Sequence, residues 1–324
     1  MPPVTHTFAF DPTHGHTLDD LLKIGAPTAP AGFDAFWRAR KEAADRVPPR
    51  PRLGRVVGHH DGHLVQEVSY DTLGGRCSAL LALPGEGAAR HGFVIGHGYG
   101  GRTDTGTDLP LPLPGSAAIF PLAPGLPALG LRPDLPSTPD AHVLHGIGSR
   151  ETYVLGDCVA GLWGAAAALL ELVPSLDGRL GLLGESFGGG IGALALPWDD
   201  RFAAARLTVP TFGNHPLRLT LPCTGSGEAV RAHVRTHPEA VEVLAHFDAA
   251  TAATRVRVPV LAACALFDPA VPPPGQFAIH GALGGPRQLE VLEAGHYAYA
   301  GEAEERRRLD RVTGEFFAGW MGRG

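Results

Sequence analysis

The sequence predicts an α/β fold with a mostly parallel central sheet that helices cover on both faces. Three observations lead to this prediction. From about residue 93 onward, short apolar runs that end in glycine-rich loops alternate with helical stretches, a pattern typical of parallel sheets. The hydrophobic content of 44% is ordinary for a folded core. The 44 glycines and 30 prolines therefore indicate turns and close backbone approaches rather than disorder.

We expect one domain over residues 1–324, with an N-terminal extension (1–50) and an inserted helical excursion (210–253). Chain length alone would suggest about two domains, but α/β enzymes often exceed 250 residues as one unit. In the extension, residues 33–40 have apolar side chains at helical spacing. A hairpin follows, with strands at 65–70 and 77–83 around a glycine turn.

The remaining elements are predicted from apolar runs and from the glycines and prolines that separate them. A proline-rich stretch at 121–139 predicts an irregular loop. Helices are expected at 153–173, from about 187, at 238–244, at 277–283 and at the C-terminus, where Leu309, Val312, Phe316 and Trp320 form a stripe. Strands are expected at 93–95, 117–120, 180–183, 203–209, 258–267 and 289–292.

Charge and composition exclude several partners. The chain has 27 Lys and Arg against 33 Asp and Glu, a net charge of −6, which argues against nucleic-acid binding. The N-terminus shows no signal-peptide pattern. The longest apolar run, residues 158–170, is shorter than the roughly 20 residues that span a bilayer, so we expect no membrane partner.

The four cysteines are scattered and form no C-x-x-C pair, so neither a zinc site nor a disulfide framework is expected. Reduced thiols favour a cytoplasmic location. Two histidine-rich segments, 14–16 and 59–63, could be taken for metal sites. They lie outside the motif region and have no matched ligands elsewhere, and a solvated loop explains both. We therefore expect no metal and no cofactor.

The segment 184–190, GESFGGG, fits the pattern G-x-S-x-G between a buried strand and a helix. In a nucleophile elbow, the serine occupies a strained turn and small neighbours let strand and helix approach closely. The alternative is a glycine turn that holds a serine by chance. The first interpretation presents the hydroxyl of Ser186 at the carboxyl edge of the sheet.

A serine hydroxyl needs a base and an orienting acid, and the α/β-hydrolase order is Ser, then Asp or Glu, then His. Asp268 follows the strand predicted at 258–267, and His296 follows the strand at 289–292. Both therefore fall at the same sheet edge as Ser186. Glu293 is a weaker candidate acid, because it is too close to His296 in sequence to orient it.

Acyl transfer also needs donors for the oxyanion. One is the backbone N–H of Phe187, directly after the nucleophile, and the second is expected in the loop after an early strand. The segment 97–101, HGYGG, occupies that place. The N–H of Tyr99 is our candidate for the second donor.

Taken together, these residues resemble the acetyl xylan esterase and cephalosporin C deacetylase family, carbohydrate esterase family seven. The likeness extends over nearly the whole chain. Its markers are GFDAFW at 32–37, HGYGG at 97–101, HGI at 145–147, the elbow, HFD at 246–248, FDP at 267–269 and AGH at 294–296.

The resemblance implies an α/β-hydrolase fold and a serine esterase that removes acetyl groups from sugars and small alcohols. Carried over by position, Ser186, Asp268 and His296 are the catalytic triad, and Tyr99 and Phe187 are the oxyanion donors. Family members are often hexameric and intracellular, so a homo-oligomer is a possible assembly. The expected partner is a small-molecule ester.

Three departures from the family pattern concern the substrate pocket. The family's Arg-Gly-Gln is here Pro124-Gly125-Leu126, its Gln after the serine is Phe187, and its closing His-Glu is His296-Tyr297. We therefore expect Pro124, Leu126 and Tyr297 at a more apolar substrate pocket, suited to a small non-sugar ester.

Two alternatives remain open from the sequence. The same fold supports other acyl hydrolases of peptidase or thioesterase type, because fold does not determine substrate. A non-catalytic protein derived from a hydrolase is the other alternative, against which the intact Ser, Asp and His weigh.

Overall fold

The computed structural model describes residues 5–104, 108–127 and 129–322. Within these residues, nine strands form one sheet in the order β1-β2-β3-β5-β4-β6-β7-β8-β9. The strands, in chain order, are β1 (Arg52–His60), β2 (His63–Thr72), β3 (Gly75–Pro84), β4 (His91–Gly96), β5 (Ser116–Pro121), β6 (Leu180–Glu185), β7 (Phe202–Thr208), β8 (Val260–Phe267) and β9 (Arg287–Ala294).

The sheet has an antiparallel end and a longer parallel part. The pairs β1–β2, β2–β3 and β3–β5 are antiparallel, whereas the five pairs from β5–β4 to β8–β9 are parallel. Every residue of β5 is buried, as expected for a strand covered on both faces. The prediction of a mostly parallel α/β fold is confirmed.

Helices cover the sheet on both faces. The helices within the described residues are α1 (Leu18–Leu21), α2 (Phe33–Asp45), α3 (Pro139–His142), α4 (Val154–Leu172), α5 (Phe187–Ala195), α6 (His215–Arg218), α7 (Ser226–Thr236), α8 (Ala240–His246), α9 (Ala249–Ala253), α10 (Pro273–Ala282) and α11 (Glu302–Met321). The larger core cluster contains α4 and α5. A second cluster lies under α11, through Phe316 and Phe317.

The strand β1 was missed from the sequence, where residues 59–63 were interpreted as a solvated loop. His59 and His60 end β1, and His63 begins β2. Asp61 and Gly62 connect them with positive φ angles of 45° and 74°, as a two-residue hairpin turn requires. The first five residues of β1 are all exposed, so no apolar alternation marks this edge strand.

The excursion at 210–253 contains four helices, α6 to α9, where the sequence predicted only the stretch 238–244. The missed helix α7 is short and mostly polar, and it buries only Gly227 and Val230. So little apolar surface gives a weak periodic pattern, which explains the omission.

The helix α4 (Val154–Leu172) matches the helix predicted at 153–173 and extends beyond the apolar run 158–170. This helix of 19 residues is long and apolar enough to cross a membrane by length and composition alone. In the fold, 72% of its most apolar window is buried, and Leu162 and Leu169 belong to the main core cluster. Packing against the sheet accounts for its composition.

Candidate active site

Ser186 lies on a sharp turn between β6 and α5. Its φ and ψ angles are 54° and −113°, a strained conformation for a residue with a side chain. The neighbouring glycines make the turn possible: a Cβ on Gly184 would lie 2.4 Å from the carbonyl oxygen of Gly188. Strand and helix therefore approach as closely as a nucleophile elbow requires.

The three residues predicted at strand ends meet at one edge of the sheet. The Nε2 atom of His296 lies 2.8 Å from the Oγ of Ser186. The Nδ1 atom of the same ring lies 2.8 Å from Oδ2 of Asp268. Because β6, β8 and β9 are parallel, their carboxyl ends share an edge, and residues 110 and 28 positions apart come into contact.

Asp268 is completely buried, and its carboxylate is fully hydrogen-bonded. Oδ1 accepts from the backbone N–H groups of Ala270 and Val271, both at 2.9 Å. Oδ2 accepts from the side chain of Gln276 at 3.0 Å, in addition to the bond from His296. A buried charge with this many donors is held in one position.

Gln276 is a residue that the sequence did not single out. Its Oε1 accepts from the N–H of Ala265 at 2.8 Å, and its Nε2 donates both to Asp268 and to the carbonyl of Val271. The amide thus ties the acid to β8. No motif marks a glutamine in this position, so only the fold reveals its contact.

The pKa of His296 lies above the ordinary value of 6.5. Burial on its own lowers this pKa, but the hydrogen bond and negative charge of Asp268 outweigh burial, with a smaller contribution from Glu185. The carboxylate faces Nδ1, so that nitrogen carries a proton. Neutral His296 then has Nε2 free to accept the proton of Ser186.

The predicted oxyanion donors lie beside the nucleophile. A Cβ on Gly98 would be 3.9 Å from the Cβ of Ser186, so the 97–101 loop passes directly over the elbow. The rings of Tyr99 and Phe187 pack with centroids 4.2 Å apart. Phe187 is the first residue of α5, and its N–H therefore has no acceptor within the helix.

The loop is held by His97, whose own role the sequence did not indicate. Its Nε2 accepts from the N–H of Ala123 at 3.0 Å. The proton must therefore lie on Nδ1, which donates to the carbonyl of Gly98 at 2.6 Å. That carbonyl belongs to the peptide that carries the N–H of Tyr99. Burial lowers the pKa of His97 to about 4, so the ring is neutral near pH 7.

Two of the three residues predicted at the substrate pocket, Pro124 and Leu126, are buried. Leu126 is fully buried in the main core cluster, and its contact with a substrate stays a prediction. Pro124 is buried, and its carbonyl accepts from Nε2 of His142 at 2.8 Å. The Nδ1 of His142 lies 3.4 Å from the hydroxyl of Tyr99. Pro124 is therefore linked to the 97–101 loop through His142.

Tyr297, the third of these residues, faces the N-terminal segment. Its hydroxyl donates to the carbonyl of Thr5 at 2.7 Å, and its ring contacts Phe8 and Phe267. It also contributes to the lining of a cavity beside His296. Contact of Tyr297 with a substrate stays a prediction.

This cavity has a volume of about 440 Å³ and lies between the ends of β6, β7 and β9 and the first turns of α11. We call it the His296 cavity. Its lining is mainly polar and includes His296, Glu185, Arg206, Tyr299 and Asp310. Among the described residues, no group of three or more His, Cys, Asp or Glu side chains is placed to hold a metal ion.

Comparison with known structures shows where this fold recurs. The acetyl xylan esterase from Paenibacillus sp. R4 superposes with a TM-score of 0.78 at 21% identity, over 92% of this chain and 99% of that chain. Acetyl xylan esterase 1 from Thermoanaerobacterium sp. JW/SL YS485 gives 0.76 at 17% identity, over 94% and 99%.

More distant structures share the fold over part of their length. The acylaminoacyl peptidase of Pyrococcus horikoshii gives a TM-score of 0.57 at 17% identity, and the match covers 84% of this chain but only 41% of that chain.

The family model for acetyl xylan esterase (AXE1) matches residues 17–310. That range contains Ser186, Asp268 and His296 and all nine strands of the sheet. The chain therefore belongs to the acetyl xylan esterase family and is a carboxylic ester hydrolase with the α/β-hydrolase fold.

Proposed function

We propose that this esterase hydrolyses acetyl esters of sugars or small alcohols through an acyl-enzyme intermediate on Ser186. The observation that supports this most directly is the unbroken chain of contacts from Ser186 Oγ to His296 Nε2 and from His296 Nδ1 to Asp268 Oδ2, each 2.8 Å long. A nucleophile, a base and an orienting acid in this arrangement are what acyl transfer needs.

In the proposed mechanism, His296 takes the proton of Ser186 as Oγ attacks the ester carbonyl. Asp268 holds the imidazole and stabilises its protonated form. The protonated His296 then gives its proton to the leaving alcohol, which leaves an acetyl group on Ser186. Water, deprotonated by His296, attacks this acyl-enzyme and releases acetate, and Ser186 regains its proton.

The oxyanion of each tetrahedral intermediate is proposed to bind the N–H groups of Tyr99 and Phe187. A single donor of this kind typically contributes about 10²- to 10³-fold to kcat. His97 fixes the peptide between Gly98 and Tyr99 through its hydrogen bond to the Gly98 carbonyl. The donor is therefore oriented before substrate arrives.

Beside Ser186, the rings of Tyr99, Phe187 and Phe212 pack against one another, and those of Phe187 and Phe212 are buried. The rings of Phe187 and Phe212 are 6.1 Å apart, and that of Tyr99 covers Phe187. Phe187 stands where the family usually has a polar glutamine, and Pro124-Gly125-Leu126 stands where it has Arg-Gly-Gln. We therefore propose that simple acetyl esters are turned over as well as acetylated sugars. Deacetylation of cephalosporin C is the same reaction on another alcohol.

The test is the substitution Ser186→Ala in the full chain, with rates measured on 4-nitrophenyl acetate, 4-nitrophenyl butyrate and acetylated xylose. We expect acetate to be faster than butyrate, and Ser186→Ala to lower kcat by at least about 10⁴-fold, as for nucleophiles of other triads. A fluorophosphonate should label the parent protein and not the variant.

The matched control is Ser175→Ala, since Ser175 is an exposed serine outside the site. It should retain full activity and labelling. If Ser186→Ala kept the activity of the parent protein, Ser186 could not be the nucleophile. Turnover of acetylated xylose alone would contradict the proposed breadth toward simple esters.

We also propose a cytoplasmic location and a homo-oligomeric assembly. The four cysteines are all free and buried, which fits a reducing compartment. The family resemblance supports the assembly. Fractionation of the source cells and light scattering of the purified protein test these two proposals.

A further inference from the structure

The His296 cavity contains one carboxylate that differs from its neighbours. Among the described residues, Glu185 takes part in neither an ion pair nor a side-chain hydrogen bond, and it is exposed. The other carboxylates of the lining each have an arginine partner: Asp108 with Arg102 at 2.5 Å, Glu302 with Arg306 at 3.6 Å, Glu305 with Arg308 at 3.2 Å, and Asp310 with Arg206 at 3.9 Å.

The position of Glu185 follows from strand alternation. It is the last residue of β6 and therefore points to the same face as Leu183, which packs in the cluster beneath α11. Ser186, one residue later, turns away into α5. Glu185 and His296 both line the cavity, and the Oγ of Ser186 lies 2.8 Å from Nε2 of His296.

The proposed mechanism requires the alcohol oxygen of the ester to reach Nε2 of His296, because that nitrogen returns the proton. The leaving group must therefore lie on the histidine side of Ser186, where the His296 cavity begins. A volume of about 440 Å³ is sufficient for a small alcohol or a monosaccharide.

We propose that the His296 cavity receives the alcohol part of the ester, and that Glu185 sets its charge preference for neutral or cationic alcohols over anionic ones. This inference rests on the proposed function. The other carboxylates of the lining each form an ion pair with an arginine, whereas Glu185 forms none within the described part of the chain and interacts with Arg206 only over a longer distance. Its charge therefore also acts on a group that enters the cavity. An anionic leaving group is repelled and a cationic one attracted.

Glu185 has a second effect through His296. The ring becomes positively charged during catalysis, and a carboxylate in the same cavity stabilises that charge. In agreement with this, Glu185 contributes to the raised pKa of His296, after Asp268. The other charged groups around the ring are Arg206 on β7 and the paired residues of α11, and His14 faces Asp268 from the N-terminal segment.

The experiment compares Glu185→Gln with the parent protein on two pairs of acetyl esters of matched shape. The anionic pair is 4-acetoxybenzoate and its methyl ester. The cationic pair is acetylcholine and 3,3-dimethylbutyl acetate. We expect the anionic-to-neutral ratio of kcat/KM to rise by about three- to tenfold, and the cationic-to-neutral ratio to fall by a similar factor, as for one charge across a partly solvated gap.

Asp310→Asn is the matched control, because it removes one negative charge from the same cavity at a carboxylate that already has an arginine partner. It should leave both ratios within about twofold of the parent values, as expected for an exposed, paired charge. Unchanged ratios in Glu185→Gln, or equal changes in Asp310→Asn, would overturn the proposal.

The pH profile is a second readout that a merely structural role would not move. Since Glu185 raises the pKa of His296, Glu185→Gln should shift the acid limb of kcat/KM to lower pH, and Asp310→Asn should not. Ser186→Ala distinguishes the two proposals. If Ser186→Ala retains activity, the proposed function fails. If activity depends on Ser186 but the charged-to-neutral ratios of kcat/KM do not change in Glu185→Gln, only this inference is contradicted.

Discussion

The two halves of the catalytic machinery are held in place by different physical means. The acid–base half depends on a buried negative charge, since Asp268 accepts from two backbone N–H groups, Gln276 and His296. The oxyanion half depends on a neutral ring, since His97 accepts from Ala123 and donates to Gly98.

This difference teaches which half is more sensitive to substitution. Hydrogen bonds to a charged group are roughly twice as strong as neutral ones, and the charge of Asp268 also stabilises protonated His296. His97 carries no charge and acts only by orienting a peptide. Substitutions in the acid–base half should therefore cost more activity than those in the oxyanion half.

The largest effect is expected for Asp268→Asn. The amide removes the charge and favours the wrong tautomer of His296, which lowers kcat by about 10⁴-fold in a comparable triad. The amide N–H groups of the new asparagine would also face the N–H donors that now bind the carboxylate. The free energy of unfolding should therefore fall by about 1–3 kcal/mol. Steady-state kinetics and urea unfolding measure the two effects.

Asp248→Asn is the matched control for this prediction. Asp248 is equally buried, and it accepts from the backbone N–H groups of His215 and Thr251, but it lies outside the triad. It should lose stability while kcat remains close to the parent value. A kcat for Asp268→Asn as high as that of Asp248→Asn would remove Asp268 from the mechanism.

An intermediate effect is expected for His97→Ala, which releases the Gly98–Tyr99 peptide. Misplacing one oxyanion donor should lower kcat by about 10- to 100-fold with little change in KM. His97→Asn should recover part of this loss, because its amide nitrogen can donate to the Gly98 carbonyl in place of Nδ1. If alanine and asparagine lose the same activity, the hydrogen bond has no positioning role.

The same residue predicts an acid sensitivity with a definite sign. Burial holds the pKa of folded His97 at about 4, against 6.5 for the ordinary group. Between these pH values the unfolded chain binds the proton and the folded chain does not, so the free energy of unfolding decreases as pH falls. The decrease between pH 7 and 4.5, measured by urea unfolding, should be smaller in His97→Asn.

The smallest effect is expected for Tyr297→Phe, next to His296 in sequence but in neither half. It removes only the exposed hydrogen bond to Thr5, which costs about 0.5–1 kcal/mol of stability. Activity on 4-nitrophenyl acetate should stay within about twofold of the parent. A large rise in KM would instead support the substrate contact that the sequence predicts for Tyr297.

Much of the fold and of the candidate site was predictable because their signals are local. The elbow is a contiguous segment, and the strands before Asp268 and His296 are apolar runs that end in a loop. Edge strand β1 and helix α7 were missed because each buries little apolar surface. Their sequences therefore show no regular spacing of apolar residues. Leu126 was expected at the pocket from its place in the family's motif, and only the fold shows that its side chain is buried in the main core cluster.

The sequence by itself determined the alternation of strands and helices from about residue 93 onward, the strained serine turn and the residues at three strand ends. Only the tertiary structure decided which groups meet: Gln276 with Asp268, Ala123 with His97, and Glu185 with His296 across one cavity. The reason is physical. Turns and apolar periods depend on neighbours within a few residues, whereas these contacts depend on how strands pair and how helices and loops pack between residues 8 to 111 positions apart in the chain.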